Sequence, residues 1–437
     1  MLPDTICKTI HQYNKLPISS EDMQKLLDIA KDYSKVKDYV YLRFGGIGSL
    51  GKLYPGYTVQ NEMTESGLRS KLGLPSVYFY LAVFDALGDI KSQWTRTKTK
   101  IAALLSGNEG FTTEEKHYLR FLLRVSNAFE AVLNSQPMVL PKEIQKQYEL
   151  LSEVVDTEKL HRYLRRQVRK YHGKQHTGQA MGFSITERAY RYADHGIYLS
   201  TKEKRKRIFV PLTDNNQYSS QLYIKLNPET SGIEIKVPIY VKVSHHENYG
   251  NQVGIAVGMY IMLTTDQGHR YGERLGEYQT EYAEWIRKQT GIYNRNRKDN
   301  PGRKKYEGKK RRYEERLHSY INQEINRFLV TEKPERVYMV KLPKPKAGGV
   351  NKKVNQAVAM WQRGYIKKRL SQKCAEESVE LIEVLGKDIS RECSDCGEIG
   401  EKKEGMYYCP RCGNGMEEKT NTARNVLRRG LSGKIVK

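Results

Sequence analysis

Apolar residues recur every three or four positions through residues 22–33, 77–104 and 113–133, lining one face of a helix in each case, so the pattern predicts a helical region from about 20 to 172. Thr112 and Thr113 followed by Glu115 supply a helix start, because a hydroxyl and a carboxylate three positions on can each satisfy a free backbone amide of the other. A strongly basic helix, 159–172, closes the region. From 182 to 243 the period shortens to two, with strands at 196–199, 207–211, 221–226 and 233–243 separated by Asp-Asn-Asn and Pro-Glu-Thr-Ser-Gly turns. Short strands in that succession predict a small antiparallel β-barrel. Beyond Gly250 the two periods alternate: a strand pair at 253–264 and 269–271, a long helix from Tyr278, a helix at 313–329, a strand at 336–340, a helix at 355–374, a strand at 378–385 and a last helix from near Asn421. Such alternation predicts an α/β layer, and the whole reads as multidomain α+β. The basic segment 295–312, which contains Gly302 and Gly308, reads as a mobile loop or the tip of a helical hairpin.

Charge adds what periodicity cannot. The 437 residues carry 75 Lys and Arg against 50 Asp and Glu, a formal net charge of +25. That surplus repels itself unless a polyanion neutralises it, so nucleic acid is the expected partner. The 31 tyrosines strengthen this, because rings interleaved with cations suit stacking as well as phosphate contact. The candidates are Arg162, Arg165, Arg166 and Arg169 on the basic helix, Lys204, Arg205, Lys206 and Arg207 beside a barrel strand, and Arg303, Lys304, Lys305 and Arg311 in the basic segment; contacts of this type position a nucleic acid rather than read it. No apolar run approaches the roughly 18 residues of a membrane span, and Met1-Leu2-Pro3-Asp4 lacks the charged start of a signal peptide. A cytoplasmic protein is expected.

Six cysteines are present. Cys393-x-x-Cys396 and Cys409-x-x-Cys412 can place four thiolates around one Zn²⁺, with Gly397 and Gly413 permitting the turn after each pair. Four protein ligands close the coordination shell, so this reads as structural zinc in a zinc ribbon and not as catalytic zinc. Cys7 and Cys374 stand apart, which suits a reducing compartment better than a disulfide framework.

A helical region, a basic barrel, an α/β domain and a zinc ribbon just before the last helix, in that order, resemble the miniature type V-F CRISPR effectors and the TnpB family. The resemblance implies a helical recognition domain (21–178), a β-barrel wedge domain (179–248, with 1–20 contributing) and an RNase H-like (RuvC) domain (249–390 and 416–437) interrupted by the ribbon (391–415). In that family three separated carboxylates hold the metal ions that activate water, hard oxygens being the ligands Mg²⁺ prefers. Val253-Gly254-Ile255-Ala256-Val257-Gly258 is similar to the first motif, with Ala256 where the family has Asp. Val337-Tyr338-Met339-Val340-Lys341-Leu342 places Val340 at the position of the Glu, and a one-residue slip would place Lys341 there. Asn421-Thr422-Ala423-Arg424-Asn425 keeps the tail of the third motif, with Lys419 at the position of the Asp. Asp266, Glu417 and Glu418 are the nearby acids.

The resemblance therefore implies a nuclease-dead (TldR-like) relative: no enzyme, structural zinc, no catalytic Mg²⁺, and RNA-guided DNA binding by R-loop formation that serves transcriptional regulation. The implied partners are a guide RNA and double-stranded target DNA, with room for a homodimer on one guide and for recruited transcription machinery, at the bacterial nucleoid and at no membrane. Ser92, Gln93 and Trp94 are candidates for reading a flanking motif, a buried Trp being the alternative. Two rival readings stay open: an active metal-dependent RNA-guided endonuclease with its acids elsewhere, and a guide-free zinc-ribbon DNA-binding protein.

Overall fold

Why the first long helix starts where it does is plain from Ser19, whose hydroxyl accepts from the Asp22 amide at 3.1 Å and satisfies a donor the helix cannot. The computed structural model describes residues 4–54, 56–178, 180–295, 303–341 and 361–436, without the side chains of 293–295 and 303–304. It divides into two compact units, Cys7–Ile239 and Tyr240–Lys437 with Met1–Ile6.

In the first unit β1 (Thr5–Tyr13) precedes the helices α1 (Ser20–Phe44), α2 (Tyr57–Glu65), α3 (Leu68–Leu72), α4 (Ser76–Ser106), α5 (Thr113–Arg124), α6 (Ser126–Asn134), α7 (Lys142–Ser152) and α8 (Thr157–Tyr171). The expected start at Thr112 is a capping box, with the Glu115 amide 3.2 Å from the Thr112 hydroxyl and the Thr112 amide 2.9 Å from the Glu115 carboxylate. The single helix expected over 113–133 is two helices. Val125 adopts extended backbone (φ −86°, ψ 109°) between α5 and α6, and each half turns its own apolar face, Leu119 and Leu122 or Phe129 and Val132, into the core. Tertiary burial outweighs the continuity that the periodicity suggested.

The strands that follow are β2 (Gly182–Ile185), β3 (Tyr190–Ala193), β4 (Gly196–Ser200), β5 (Arg207–Pro211), β6 (Leu222–Asn227) and β7 (Gly232–Lys242). They form a four-stranded sheet in the order β1-β7-β6-β2 and a three-stranded antiparallel sheet β3-β4-β5, joined by a bridge between Asn14 and Leu212. Helices and strands of this unit share one apolar core, in which Tyr33, Tyr78 and Phe183 pack ring against ring.

The second unit is built on a mixed sheet of β8 (Asn251–Val257), β9 (Leu263–Thr265), β10 (Arg270–Tyr271), β11 (Pro334–Val340) and β12 (Glu380–Val384), in the order β10-β9-β8-β11-β12. β8, β11 and β12 run parallel and β9 and β10 antiparallel to their neighbours, the α/β layer expected of an RNase H-like domain. Between strands lie α9 (Leu275–Arg295), α10 (Arg303–Glu332) and α11 (Arg363–Glu376), and the chain ends with β13 (Glu401–Lys403), β14 (Met406–Tyr408), β15 (Gly415–Glu417) and α12 (Glu418–Leu431). Of the two readings of 295–312, a mobile loop or the tip of a helical hairpin, the described part fits the second, being helical from Arg303; 296–302 lie outside the described residues, as do 355–360 of the helix expected from 355. Helix wins at 303–312 because Tyr306 and Tyr313 pack on Trp285 of α9, which offsets the roughly 1 kcal/mol that Gly308 costs a helix interior. Among the described residues, no helix is long and apolar enough to cross a membrane.

Alternation along the strands gives the sheet two buried faces. Val253, Ile255, Val337 and Met339 pack on Leu317, Ile321 and Phe328 of α10 and on Ile366 and Leu370 of α11. Tyr338, Val340 and Val384 point the other way, to Val426 and Leu427 of α12. The last helix lies so close to that face that a Cβ on Gly254 would come within 2.4 Å of the Ala423 carbonyl, and one on Gly430 within 2.1 Å of the Tyr338 ring. No larger residue fits at either position without a shift of backbone or ring.

Candidate functional site

Two constellations in the second unit bear on chemistry. The first is the cysteine cluster. The hairpin β13–β14 and strand β15 form a small antiparallel sheet, and the two Cys-x-x-Cys turns flank it, each closed by a glycine of positive φ, Gly397 (+79°) and Gly413 (+70°). The Sγ atoms of Cys393, Cys396, Cys409 and Cys412 all lie within 4.8 Å of one another, with Cys393 to Cys412 at 3.6 Å and Cys396 to Cys409 at 3.5 Å. A tetrahedron with Zn–S bonds of about 2.3 Å has edges near 3.8 Å, so this donor set fits a zinc ion.

Backbone amides ready two of the four thiols for a cation; at Cys396 and Cys412 the amides of Glu398 and Asn414 pull the same way, but burial and hydrogen bonds to the neighbouring sulfurs hold those thiols up. Burial opposes ionisation of Cys393, but the amides of Cys396 and Asp395 and the Asn414 side chain outweigh it and draw its thiol down to about 6. The amide of Cys412, and behind it that of Arg411, lowers Cys409 in the same way against its own desolvation. Tyr407, buried under the cluster, donates to the backbone oxygens of Arg391 and Glu398 at 3.2 Å and fixes the first turn. Cys7 and Cys374 lie outside the cluster, Cys374 buried among apolar side chains in the layer of α11.

The second constellation is the sheet face under α12. Ala256 and Val340 sit at the C-terminal ends of neighbouring parallel strands, one register beyond the Ile255–Met339 pair and on the face that carries Gly254 and Tyr338. Ala256 is 4% exposed and pairs with Thr264 of β9. Lys419 is in the first turn of α12, half-buried, its ammonium 3.8 Å from Glu418. The three positions thus belong to one layer, the sheet face and the helix packed on it. Lys341 is exposed just past the end of β11.

Each acid near that layer is engaged. Asp266 is buried and accepts from the Gly254 amide at 2.9 Å and from Gln267 at 3.1 Å, and its carbonyl accepts from Arg424. Glu417 accepts from Thr420 at 2.7 Å and faces Arg270 at 3.6 Å, while Glu418 faces Lys402 at 3.5 Å. The two asparagines of the third motif's tail have structural work: Asn421 bonds the Ser394 amide and the Glu392 carbonyl, and Asn425 the carbonyls of Ile389 and Glu392, tying α12 to the ribbon.

The basic candidates divide by surroundings. On α8, Leu160, Leu164 and Val168 form the buried stripe, and Arg162, Arg166 and Arg169 lie exposed on the opposite side. Arg165 is turned to α6 instead, donating to the Val132 carbonyl at 3.3 Å and to Ser135 at 2.8 Å. Lys204, Arg205, Lys206 and Arg207 are exposed in the β4–β5 turn and at the start of β5, with Arg205 at positive φ and Lys206 paired to Glu203 at 2.5 Å. Their neighbour Lys202 turns inward to Asp32. On α10, Lys305 and Arg311 are exposed, Arg311 facing Glu315 at 3.7 Å; the side chains of Arg303 and Lys304 lie outside the described residues. Lys309, Arg312 and Arg316 share the stripe of Lys305, which the sequence does not reveal, since spacing by fours and threes means nothing until the segment is known to be helical. Trp94 is buried, stacked on His172 at 3.6 Å, and so belongs to packing.

Residues 364–426 match the family model described as Cas12f1-like, TNB domain. No curated protein matches the chain. Among solved structures the chain is similar to that of a Cas12f1-sgRNA-target DNA complex, at 15% identity over 97% of this chain and 99% of that one with a TM-score of 0.47. It is similar also to a CRISPR-Cas12f ternary complex, at 12% identity over 96% and 98% with a TM-score of 0.33, and to the mini-RNA-guided endonuclease CRISPR-Cas_phi3, at 10% identity over 98% and 92% with a TM-score of 0.47. The family match is consistent with a miniature type V-F or TnpB-like effector.

Proposed function

We propose, from the premise that residues 364–426 form a Cas12f1-like TNB domain, that the chain is an RNA-guided DNA-binding protein that does not cut. The observation that carries the second half is the sheet face under α12. Ala256, Val340 and Lys419 offer no ligand oxygen, and an ammonium in that layer repels a divalent cation. Asp266, Glu417 and Glu418 are held by amides and cations, so none stands ready to replace a missing carboxylate.

In this reading base pairing to a guide RNA selects the target, and the protein holds backbones with exposed cations. Residues 21–178 serve as the recognition part, 179–248 as the wedge part and 249–437 as a RuvC-like scaffold with an inserted ribbon. The four cysteines hold a structural zinc ion. An uncut R-loop then acts on transcription by obstruction or recruitment. Arg162, Arg166 and Arg169 carry phosphate contact on α8, while Arg165 positions α6. Replacing those three by Gln lowers affinity for guide RNA and flattens its salt dependence, because fewer counterions are released, whereas Arg165→Gln lowers the melting temperature and leaves the salt slope unchanged.

The deciding experiment loads the purified chain with the RNA that copurifies with it and offers supercoiled plasmid bearing the matched sequence, with Mg²⁺ or Mn²⁺. Retention of the plasmid without nicking is the expected result. Guide-dependent nicking abolished by EDTA overturns the nuclease-dead reading, and absence of a discrete copurifying RNA overturns the guide.

A further inference from the structure

Helices α9 and α10 pack antiparallel over a layer of rings. Trp285 stacks on Tyr313 (5.2 Å, 30° between planes) and on Tyr306 (5.2 Å, 23°), and Tyr282 on Tyr313 (5.6 Å, 16°). Beside that layer is an open cavity of about 610 Å³, walled by Tyr313 and by Lys305, Lys309, Arg312 and Arg316, which recur along α10 as one stripe, with Glu281 of α9 opposite. Arg316 is neutralised by Glu281 at 3.2 Å, but Lys305, Lys309 and Arg312 have no carboxylate partner among the described residues. Trp285 is 8% exposed, and its indole N–H has no acceptor among the described residues. Three cations with no carboxylate partner among the described residues, of which Lys309 lies 5.9 Å from the centre of the Trp285 ring, stand around a cavity with an aromatic wall and match a ligand that carries both a flat ring and a phosphate.

The geometry points to a seat for one unpaired nucleotide of a single-stranded nucleic acid, its base against Tyr313 and its flanking phosphates on Lys305, Lys309 and Arg312. The size lies within the roughly 300–1,000 Å³ of ligand cavities. A duplex keeps its bases stacked inside and reaches only the cations, whereas an unpaired strand uses the ring as well, at no cost in sequence preference because every base has a flat face. An acidic peptide would satisfy the cations but leave the aromatic wall unused. The inference rests on the nucleic-acid reading above but not on the guide.

The test uses the full chain freed of RNA by high salt, with a twelve-nucleotide thymidine strand, a duplex of equal length and polyglutamate as probes. The thymidine strand should quench tryptophan emission, and Trp285→Phe should remove that quench while Trp94 and Trp361 remain. Tyr313→Ala should weaken the single strand about tenfold and the duplex less than twofold, with Tyr313→Phe restoring the wild-type value. Equal loss for strand and duplex, no quench at Trp285, or displacement of the strand by polyglutamate at equal charge each overturns the seat. A chain that binds the strand in this way but copurifies with no discrete RNA keeps the seat and loses the guide.

Discussion

The cysteine cluster and the sheet face under α12 occupy one unit, yet they differ in what holds their residues in place. In the cluster each side chain is needed for its donor atom. The four Sγ atoms converge on a point, backbone amides lower two of the thiols, and nothing else in the ribbon could replace them: its apolar cluster consists of Tyr407 and three of the cysteines, Cys393, Cys396 and Cys409. On the sheet face, Tyr338, Val340, Val384 and Val426 interlock, and Gly254 and Gly430 admit the helix, so the layer is held by shape alone. A fold that packs by shape survives the loss of its polar groups. A small ribbon does not, because metal binding there supplies the folding energy.

The largest effect expected from breaking this contrast is at the cysteines. Cys393→Ser or Cys409→Ser should take zinc from one equivalent to near none by elemental analysis and open 391–417 to protease, with the first unit's melting transition unmoved. Zinc retained in both variants would refute the assignment.

Next in size is Ala256→Asp. It puts a carboxylate at a site 4% exposed with no cation assigned to it, which should cost about 3 kcal/mol in urea unfolding. The same change together with Val340→Glu and Lys419→Asp should be rescued in part by Mn²⁺ if the three positions converge. No metal dependence of the triple variant's stability would show that they do not.

Gly254→Ala and Gly430→Ala should each cost about 1–3 kcal/mol, since a Cβ meets the Ala423 carbonyl at 2.4 Å or the Tyr338 ring at 2.1 Å. An unchanged melting temperature in both would mean that α12 is not held as closely as its packing requires. The smallest effect is expected for Lys419→Ala, at most about 0.5 kcal/mol, because its ammonium has only a half-exposed pair with Glu418 at 3.8 Å. A larger loss would make Lys419 a structural residue and weaken the reading of its position as a vacated ligand site.

Much of this was legible along the chain because it is local. Capping at Thr112, alternation in β6 and the Cys-x-x-Cys turns are all set within a few residues, where spacing and backbone chemistry decide. The break at Val125 was not legible, and spacing alone could not choose between loop and helical hairpin at 303–312, for in both the neighbours that decide are distant in sequence: the shared core in one case, Trp285 in the other. The same holds for side chains within a run of like charges. Nothing in the order Arg162, Arg165, Arg166, Arg169 says that Arg165 turns to Ser135, nor in Lys202 and Lys204 that only the first is drawn to Asp32.

By itself, then, the sequence determined the classes of element, the thiolate donors and the absence of ligand oxygens at 256, 340 and 419, since residue type and short spacing suffice for each. Only the tertiary structure decided that four thiols meet within 4.8 Å, that Ala256 and Val340 share the face on which α12 packs, and that three cations of α10 surround an aromatic wall. Convergence is a property of packing between segments far apart in the chain, and no local spacing encodes it.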